Sequence, residues 1–201
     1  MEHILSVFDS TIILRTFGLV GILAIIFAES GLFFGFFLPG DSLLFTAGYL
    51  ASSGFISFYL LFFGSIIAAI LGDNIGYAFG KKIGPKIFTR QDSLLFNKSY
   101  VEKSKIFFAK HGPKSLVLAR FVPAVRTFTP IIAGVGEMKY PIFLKYNAIG
   151  AILWAGGLSA LGYLLGNTIP NIDHYIYPII VLIIILSILP GLISLYRNRK
   201  I

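Results

Sequence analysis

FGLVGILAIIFAESGLFFGFFLPGDSLLFTAGYLA, residues 17–51, is apolar almost throughout and is interrupted by Pro39-Gly40-Asp41. A helix needs about 20 apolar residues to cross a bilayer. The halves beside the interruption, 17–28 and 42–51, are too short to cross singly. A second stretch has the same character. In SLVLARFVPAVRTFTPIIAGVGEM, residues 115–138, Pro123 and Pro130 bracket a break that holds Arg120 and Arg126. Proline removes a backbone donor and clashes with the preceding turn. In lipid such a break is tolerated only where it is buried in protein or lines a cavity. Both stretches therefore read as re-entrant helical hairpins with their tips inside the membrane. For the first, a single span over 19–38 carrying Glu29 is the alternative, and it would move Met1 from the outer side to the cytoplasm.

The rest of the chain suits a membrane protein. Its 201 residues are 56% hydrophobic and 13% charged, with a mean hydropathy of +0.84. A soluble domain carries roughly 25% charged residues. A soluble enzyme, a disordered chain and a DNA-binding domain are therefore poor fits. Three segments are long enough to span: 55–77, 146–166 and 175–196. The net charge of +8 does not indicate a nucleic-acid partner, because nine of the 17 Lys and Arg lie between Lys81 and Lys114 and three more close the chain. Basic clusters beside apolar spans mark the cytoplasmic side and meet anionic headgroups there. Residues 81–114 are accordingly expected as a cytoplasmic segment with amphipathic surface helices, and the C-terminus as cytoplasmic. Residues 1–16 read as an interfacial segment; they have neither the basic start nor the cleavage site of a signal peptide. With no cysteine in the chain, thiolate metal sites are excluded. No metal or other cofactor is expected.

Sliding the chain by 86 residues superposes nine identities over positions 47–80, ending in Gly76-Tyr77 and Gly80 on Gly162-Tyr163 and Gly166. Each half is then a broken hairpin followed by a span. Residues 17–80 form the first repeat and 115–166 the second, with the two spans crossing in opposite directions. The expected fold class is an all-α integral membrane protein of one domain, an inverted repeat with a further C-terminal span. Inverted repeats with discontinuous helices are a common way to build a central transport site.

Five charged residues carry the candidate chemistry. Glu29 and Asp41 flank the first break, and Arg120 and Arg126 lie in the second. A charged group in an apolar span usually faces a cavity or a partner. Asp41 has a structural role open to it, capping helix 42–51. Arginine cannot escape burial by losing its proton, so Arg120 and Arg126 either pair with Glu29 or Asp41 as a lock or bind an anion. Their forks match phosphate oxygens. If an anionic substrate takes an arginine, the displaced carboxylate tends to gain a proton, which would couple transport to protons through Glu29 and Asp41. Asp73, near the cytoplasmic end of its span, is expected either to neutralise Lys81 or Lys82 or to take part in function. His111 reads as interfacial and Trp154 as packing or anchoring.

These segments resemble the DedA family of bacterial membrane proteins, also described as SNARE-associated or VTT-domain proteins. The resemblance is carried by FAESGLFFGFFLPGD with AGYLA, by GDNIGYAFGKKIG, by HGPKSLVLARFVPAVRTFTPIIAGVGEMKY and by GAILWAGGLSALGYLLG, together spanning 17–166. It implies facing re-entrant hairpins, a cell-membrane location and a role in envelope maintenance. It also implies flipping of lipid phosphates, notably undecaprenyl phosphate, with dependence on the proton-motive force. Eukaryotic relatives are linked to phospholipid scrambling. The family's acidic and arginine pairs fall on Glu29, Asp41, Arg120 and Arg126. The expected partners are thus a lipid phosphate or phospholipid headgroup, membrane lipids and protons. A small-ion/proton antiporter on the same carboxylates and an uncoupled phospholipid scramblase are the alternatives. A membrane enzyme fits less well, since the chain has no HExxH and no GxSxG.

Overall fold

The computed structural model describes residues 10–32, 38–87 and 110–169, with the single positions 106, 108 and 178. Residues 1–9, the aromatic run 33–37, most of the basic segment between 88 and 109, and the C-terminal span 175–196 apart from residue 178 lie outside the described residues. Among the described residues every regular element is helical. In chain order they are α1 (Ser10–Gly31), α2 (Gly40–Ser52), α3 (Phe58–Ile87), α4 (Lys114–Ala119), α5 (Pro123–Val135), α6 (Tyr140–Ala151) and α7 (Gly157–Thr168). A π turn, Ile152–Gly156, joins α6 to α7 without a break.

The helix ends follow from local chemistry. Pro123 starts α5, where its missing N–H is not needed and its fixed φ suits the first turn. Pro39 stands one position earlier relative to its helix, as the N-cap of α2. Gly18 interrupts α1 at φ 60° and ψ −158°, a backbone region essentially restricted to glycine.

Two stretches are long and apolar enough to cross a membrane: Phe58–Lys82, of mean hydropathy 1.8, and Tyr140–Thr168, of mean hydropathy 1.7. Their surroundings are inverted relative to a soluble helix, which turns its apolar stripe inward. On α3 the side chains of Tyr59, Phe63, Ile67, Leu71, Ile75 and Phe79, each four residues from the next, are 46–73% exposed. Charged side chains are instead at the centre, where Glu29, Asp73, Arg120 and Arg126 are all buried. An outer surface of Phe, Ile and Leu around a charged interior is what a hydrocarbon solvent selects.

The helices pair in a specific pattern. Phe58 stacks on Tyr163 and Tyr77 on Phe143, so the two long helices run antiparallel. Leu23 lies against Gly64 and Gly31 against Gly72, so α1 runs along α3 in the same direction. Helix α2 lies instead on α7, with Phe45 against Gly162 and Ser52 against Gly166. Helix α5 lies on α3, with Ile131 against Gly76 and Gly80. Phe45 and Ile131 are 86 residues apart, as are Gly76 and Gly162. The second helix of each broken stretch therefore packs on the long helix of the other half, through glycines at matching positions. The apolar core gathers where α1, α2, α3 and the π turn meet, around Ile22, Ile26, Leu43, Leu44, Ala69 and Trp154.

Several sequence expectations shift. At the first break Pro39 lies between α1, which ends at Gly31, and α2, whereas Gly40 and Asp41 already belong to α2. The second break is confined to the residues between Ala119 and Pro123. Arg120 is in it, but Arg126 lies within α5. Pro130 also sits inside α5 and does not end it. Packing outweighs its lost hydrogen bond there, since Pro130 and Ile131 rest directly on the bare backbone of Gly76. Helix α3 continues through Lys81 and Lys82 to Ile87, and the amphipathic surface helices expected around residues 94–107 fall almost wholly outside the described residues. His111 is exposed.

The glycine contacts can be tested in pairs. A Cβ on Gly162 would lie 2.1 Å from the Phe45 carbonyl oxygen, whereas one on Gly157 meets nothing within 4 Å. Gly162→Ala should lower the stability of the detergent-solubilised protein by about 1–3 kcal/mol. Gly157→Ala should raise it by about 0.5–1 kcal/mol through helix propensity. Thermal unfolding in detergent reads both.

Candidate functional site

The interior charges form one cluster assembled from most of the helices. Glu29 lies in the last turn of α1 and Asp41 in the first turn of α2. Arg126 bridges them: its Nη1 donates to Asp41 Oδ1 at 2.7 Å and its Nη2 to Glu29 Oε1. One guanidinium thus ties together both sides of the first break. Arg120, at the C-cap of α4, takes different partners. Its Nη2 donates to Asp73 Oδ2 on α3 and to Asn147 Oδ1 on α6. Burial is nearly complete, with Glu29 at 0% exposure and Asp73, Arg120 and Arg126 each at 3%.

Trp154 lies between the two halves of the cluster. It sits in the middle of the π turn and is buried. A π turn inserts one extra residue into a helix and is frequent at functional positions. Trp154 Nε1 donates to Asp41 Oδ1 at 2.7 Å. The guanidinium carbons of Arg126 and Arg120 lie 4.2 Å and 5.9 Å from its ring centre. Such cation–π contacts favour a buried guanidinium by about 2 kcal/mol when desolvated. Trp154 is therefore packed, as expected, but it also anchors an acid and faces two cations.

Backbone shape supports these positions. A Cβ on Gly40 would lie 1.5 Å from Glu29 Oε2, and one on Gly150 would lie 2.7 Å from Arg120 Cδ. Both glycines leave room for a charged side chain. Beside the arginines is a cavity of about 10 Å³, lined by Asp73, Arg120, Arg126, Thr129, Asn147 and Phe143 among others. That holds about one water. Several buried polar atoms have no hydrogen-bond partner within the protein, including Arg120 Nη1, Arg126 Nε and Asp73 Oδ1. The cluster is close-packed yet incompletely satisfied.

The structure brings Glu29, Asp41, Arg120 and Arg126 into one cluster but divides the pairing. Only Arg126 meets Glu29 and Asp41. Asp41 directs its carboxylate to Arg126 and Trp154 from the first turn of α2. Asp73 does not neutralise Lys81 or Lys82; it is three residues from Ile70, the midpoint of Phe58–Lys82, and faces Arg120. Asp73 therefore lies near the middle of the apolar stretch Phe58–Lys82. Asn147 was not singled out from the sequence, although an amide in an apolar helix is itself a signal of an interior partner. Among the described residues no group of three or more His, Asp or Glu is arranged to hold a metal ion.

Comparison with known proteins finds membrane proteins among the relatives of this chain. Residues 38–164 match the family described as the VTT domain. The chain is 46% identical over 178 residues to the protein DedA of Escherichia coli K12, covering 88% of this chain and 81% of that one. It is equally similar to an uncharacterized membrane protein of Mycobacterium leprae, 46% over 178 residues, 89% of this chain and 79% of the other. The inner membrane protein YqjA of Escherichia coli K12 is 34% identical over 144 residues, 72% of this chain and 66% of YqjA. No solved structure matches the chain.

The Arg120–Asp73 pair yields a prediction. Removing one partner of a buried pair leaves the other charge uncompensated, at a cost of about 3–5 kcal/mol. Asp73→Ala should destabilise the solubilised protein by that order. The double variant Asp73→Ala/Arg120→Met should recover most of the loss, because an apolar replacement of both partners removes the orphaned charge. Thermal unfolding of both variants in the same detergent checks it.

Proposed function

Since this chain belongs to the DedA family of VTT-domain membrane proteins, we propose that it carries a lipid phosphate across the membrane. Undecaprenyl phosphate is the leading substrate, proton uptake drives the exchange, and the role is cell-envelope maintenance. One observation carries this: Arg126, buried on Trp154, spends its fork on two carboxylates from opposite sides of a helix break. A carboxylate pair is a stand-in for the oxygens of a phosphate, which the same fork matches. Substrate arrival would exchange one anion for another at Arg126. Glu29, released into an apolar interior, takes up a proton. The charge count favours such coupling. Three acids face two arginines, so an anion arriving at Arg126 adds to an existing excess of negative charge and favours proton uptake by the displaced acid.

The helix pairing supports the rest of the proposal. We read α1–α2 and α4–α5 as re-entrant hairpins of an inverted repeat. The matched contacts of Phe45 with Gly162 and Ile131 with Gly76 are what two exchanged, inverted halves would produce. Orientation follows from charge: the basic residues between Lys81 and Lys114 and the C-terminal Arg197, Arg199 and Lys200 face the cytoplasm. An arrangement of this kind alternates access by moving one half against the other around a fixed site.

One observation favours a second reading, a small-ion/proton antiporter. The cavity at the arginines, about 10 Å³, admits a water-sized species without rearrangement. Proteoliposomes separate the two. With a labelled lipid phosphate, wild-type protein should flip it faster under an imposed pH gradient. Glu29→Gln should abolish the response to the gradient. Arg126→Lys, which keeps the charge but loses the fork, should reduce flipping by about tenfold to a hundredfold. Size-exclusion profiles confirm that the variants are folded. Wild-type flipping that is absent, or untouched by both substitutions, removes the lipid-phosphate assignment; cation-driven proton release without flipping establishes the antiporter.

A further inference from the structure

A second polar recess lies outside the charge cluster. Asn74, Tyr77, Ala78, Lys81, Lys82 and Tyr140 line an open groove of about 410 Å³ between the end of α3 and the start of α6. That volume lies within the usual range for small-ligand sites. We infer that this groove is a docking site for the phosphate headgroup of a membrane lipid, placed at the mouth of the path to Arg120.

Three observations converge on a lipid. The groove carries two lysines and no acid among its lining residues, and each lysine near a membrane surface attracts an anionic headgroup. The stripe Leu71, Ile75 and Phe79 runs beside it on the outer face of α3, so an acyl chain can lie along the same helix whose end holds the head. Tyr77 and Tyr140, with ring centres 5.8 Å apart, form an amphipathic wall suited to the headgroup level.

The groove also backs directly onto the buried cavity. Asn74 lines the groove, and its neighbour Asp73 lines the cavity. Tyr77 lines the groove, and Phe143 lines the cavity. Those two rings stack with centres 4.3 Å apart and planes 20° apart. At this point one stacked pair of rings separates the groove from the cavity that Arg120 lines. Tyr77 is held in this pair by its hydroxyl, which donates to the Met138 carbonyl in the turn between α5 and α6. A shift of that turn would release the ring and join the two spaces. As an entry point the groove rests on the lipid-phosphate function proposed above; as a headgroup site it stands by its own lining.

The test uses the full chain in detergent, titrated with phosphatidic acid and followed by native mass spectrometry. Wild type should bind the lipid. Lys81→Gln/Lys82→Gln, two exposed positions, should bind about thirtyfold more weakly. Lys114→Gln/Lys145→Gln, which removes the same charge at two exposed positions outside the groove lining, should bind as wild type does. Undiminished binding by the Lys81→Gln/Lys82→Gln variant overturns the inference. So does displacement of the lipid by inorganic phosphate at equal concentration, which would mark a free-anion site. Failure here leaves proteoliposome flipping intact if only the groove is wrongly assigned. Loss of binding in the Lys81→Gln/Lys82→Gln variant alongside absent wild-type flipping retains the groove and removes the transport proposal.

Discussion

Arginine remains charged in almost any surroundings a protein offers, and that constraint organises this molecule. Two guanidinium groups lie at the centre of an apolar chain, and neither can be left alone there. Each is compensated from another part of the sequence, Arg126 by Glu29 and Asp41 and Arg120 by Asp73 and Asn147. These partners are separated by 27 to 97 positions in the chain. Closing the pairs therefore brings together both ends of the first break, the second break and the two long helices. Coulomb attraction of this kind is strong where water is absent, and so is the penalty for losing one partner.

Close helix approach is the second requirement. Charged groups can meet at mid-depth only if the backbones carrying them come near, and glycine permits this. Phe45 against Gly162 and Ile131 against Gly76 bring α2 and α5 onto the long helices of the opposite halves. Gly40 leaves the space into which the Glu29 carboxylate fits. The apolar side chains displaced from these contacts face outward, where lipid receives them. Polar interior and apolar exterior are thus two consequences of one packing scheme.

The same compactness sets what movement must accomplish. The cavity beside the arginines has room for about one water, and the acids already occupy the positions an anionic ligand would take. Under the proposed function a ligand would have to displace a carboxylate, and the helix ends on which those carboxylates sit are interrupted rather than continuous. Interrupted helices bend at their breaks more readily than continuous ones, because fewer backbone hydrogen bonds hold the hinge. The break between Ala119 and Pro123 places Arg120 at such a hinge.

Much of this was legible in residue order. Composition and mean hydropathy determined a membrane protein, and prolines within apolar stretches determined that some helices would be broken. Charges that lipid would not tolerate singled out Glu29, Asp41, Asp73, Arg120 and Arg126, and the 86-residue offset matched the glycines that later proved to be contact points. Partner choice was not legible. Asp73 belongs to Arg120 and not to Lys81, Arg126 takes both Glu29 and Asp41, and Trp154 and Asn147 complete the cluster. Pro130 continues a helix that proline chemistry alone would have ended. Pairing and helix continuity depend on which backbones come within reach across distances of tens of residues, and only the tertiary packing decides that.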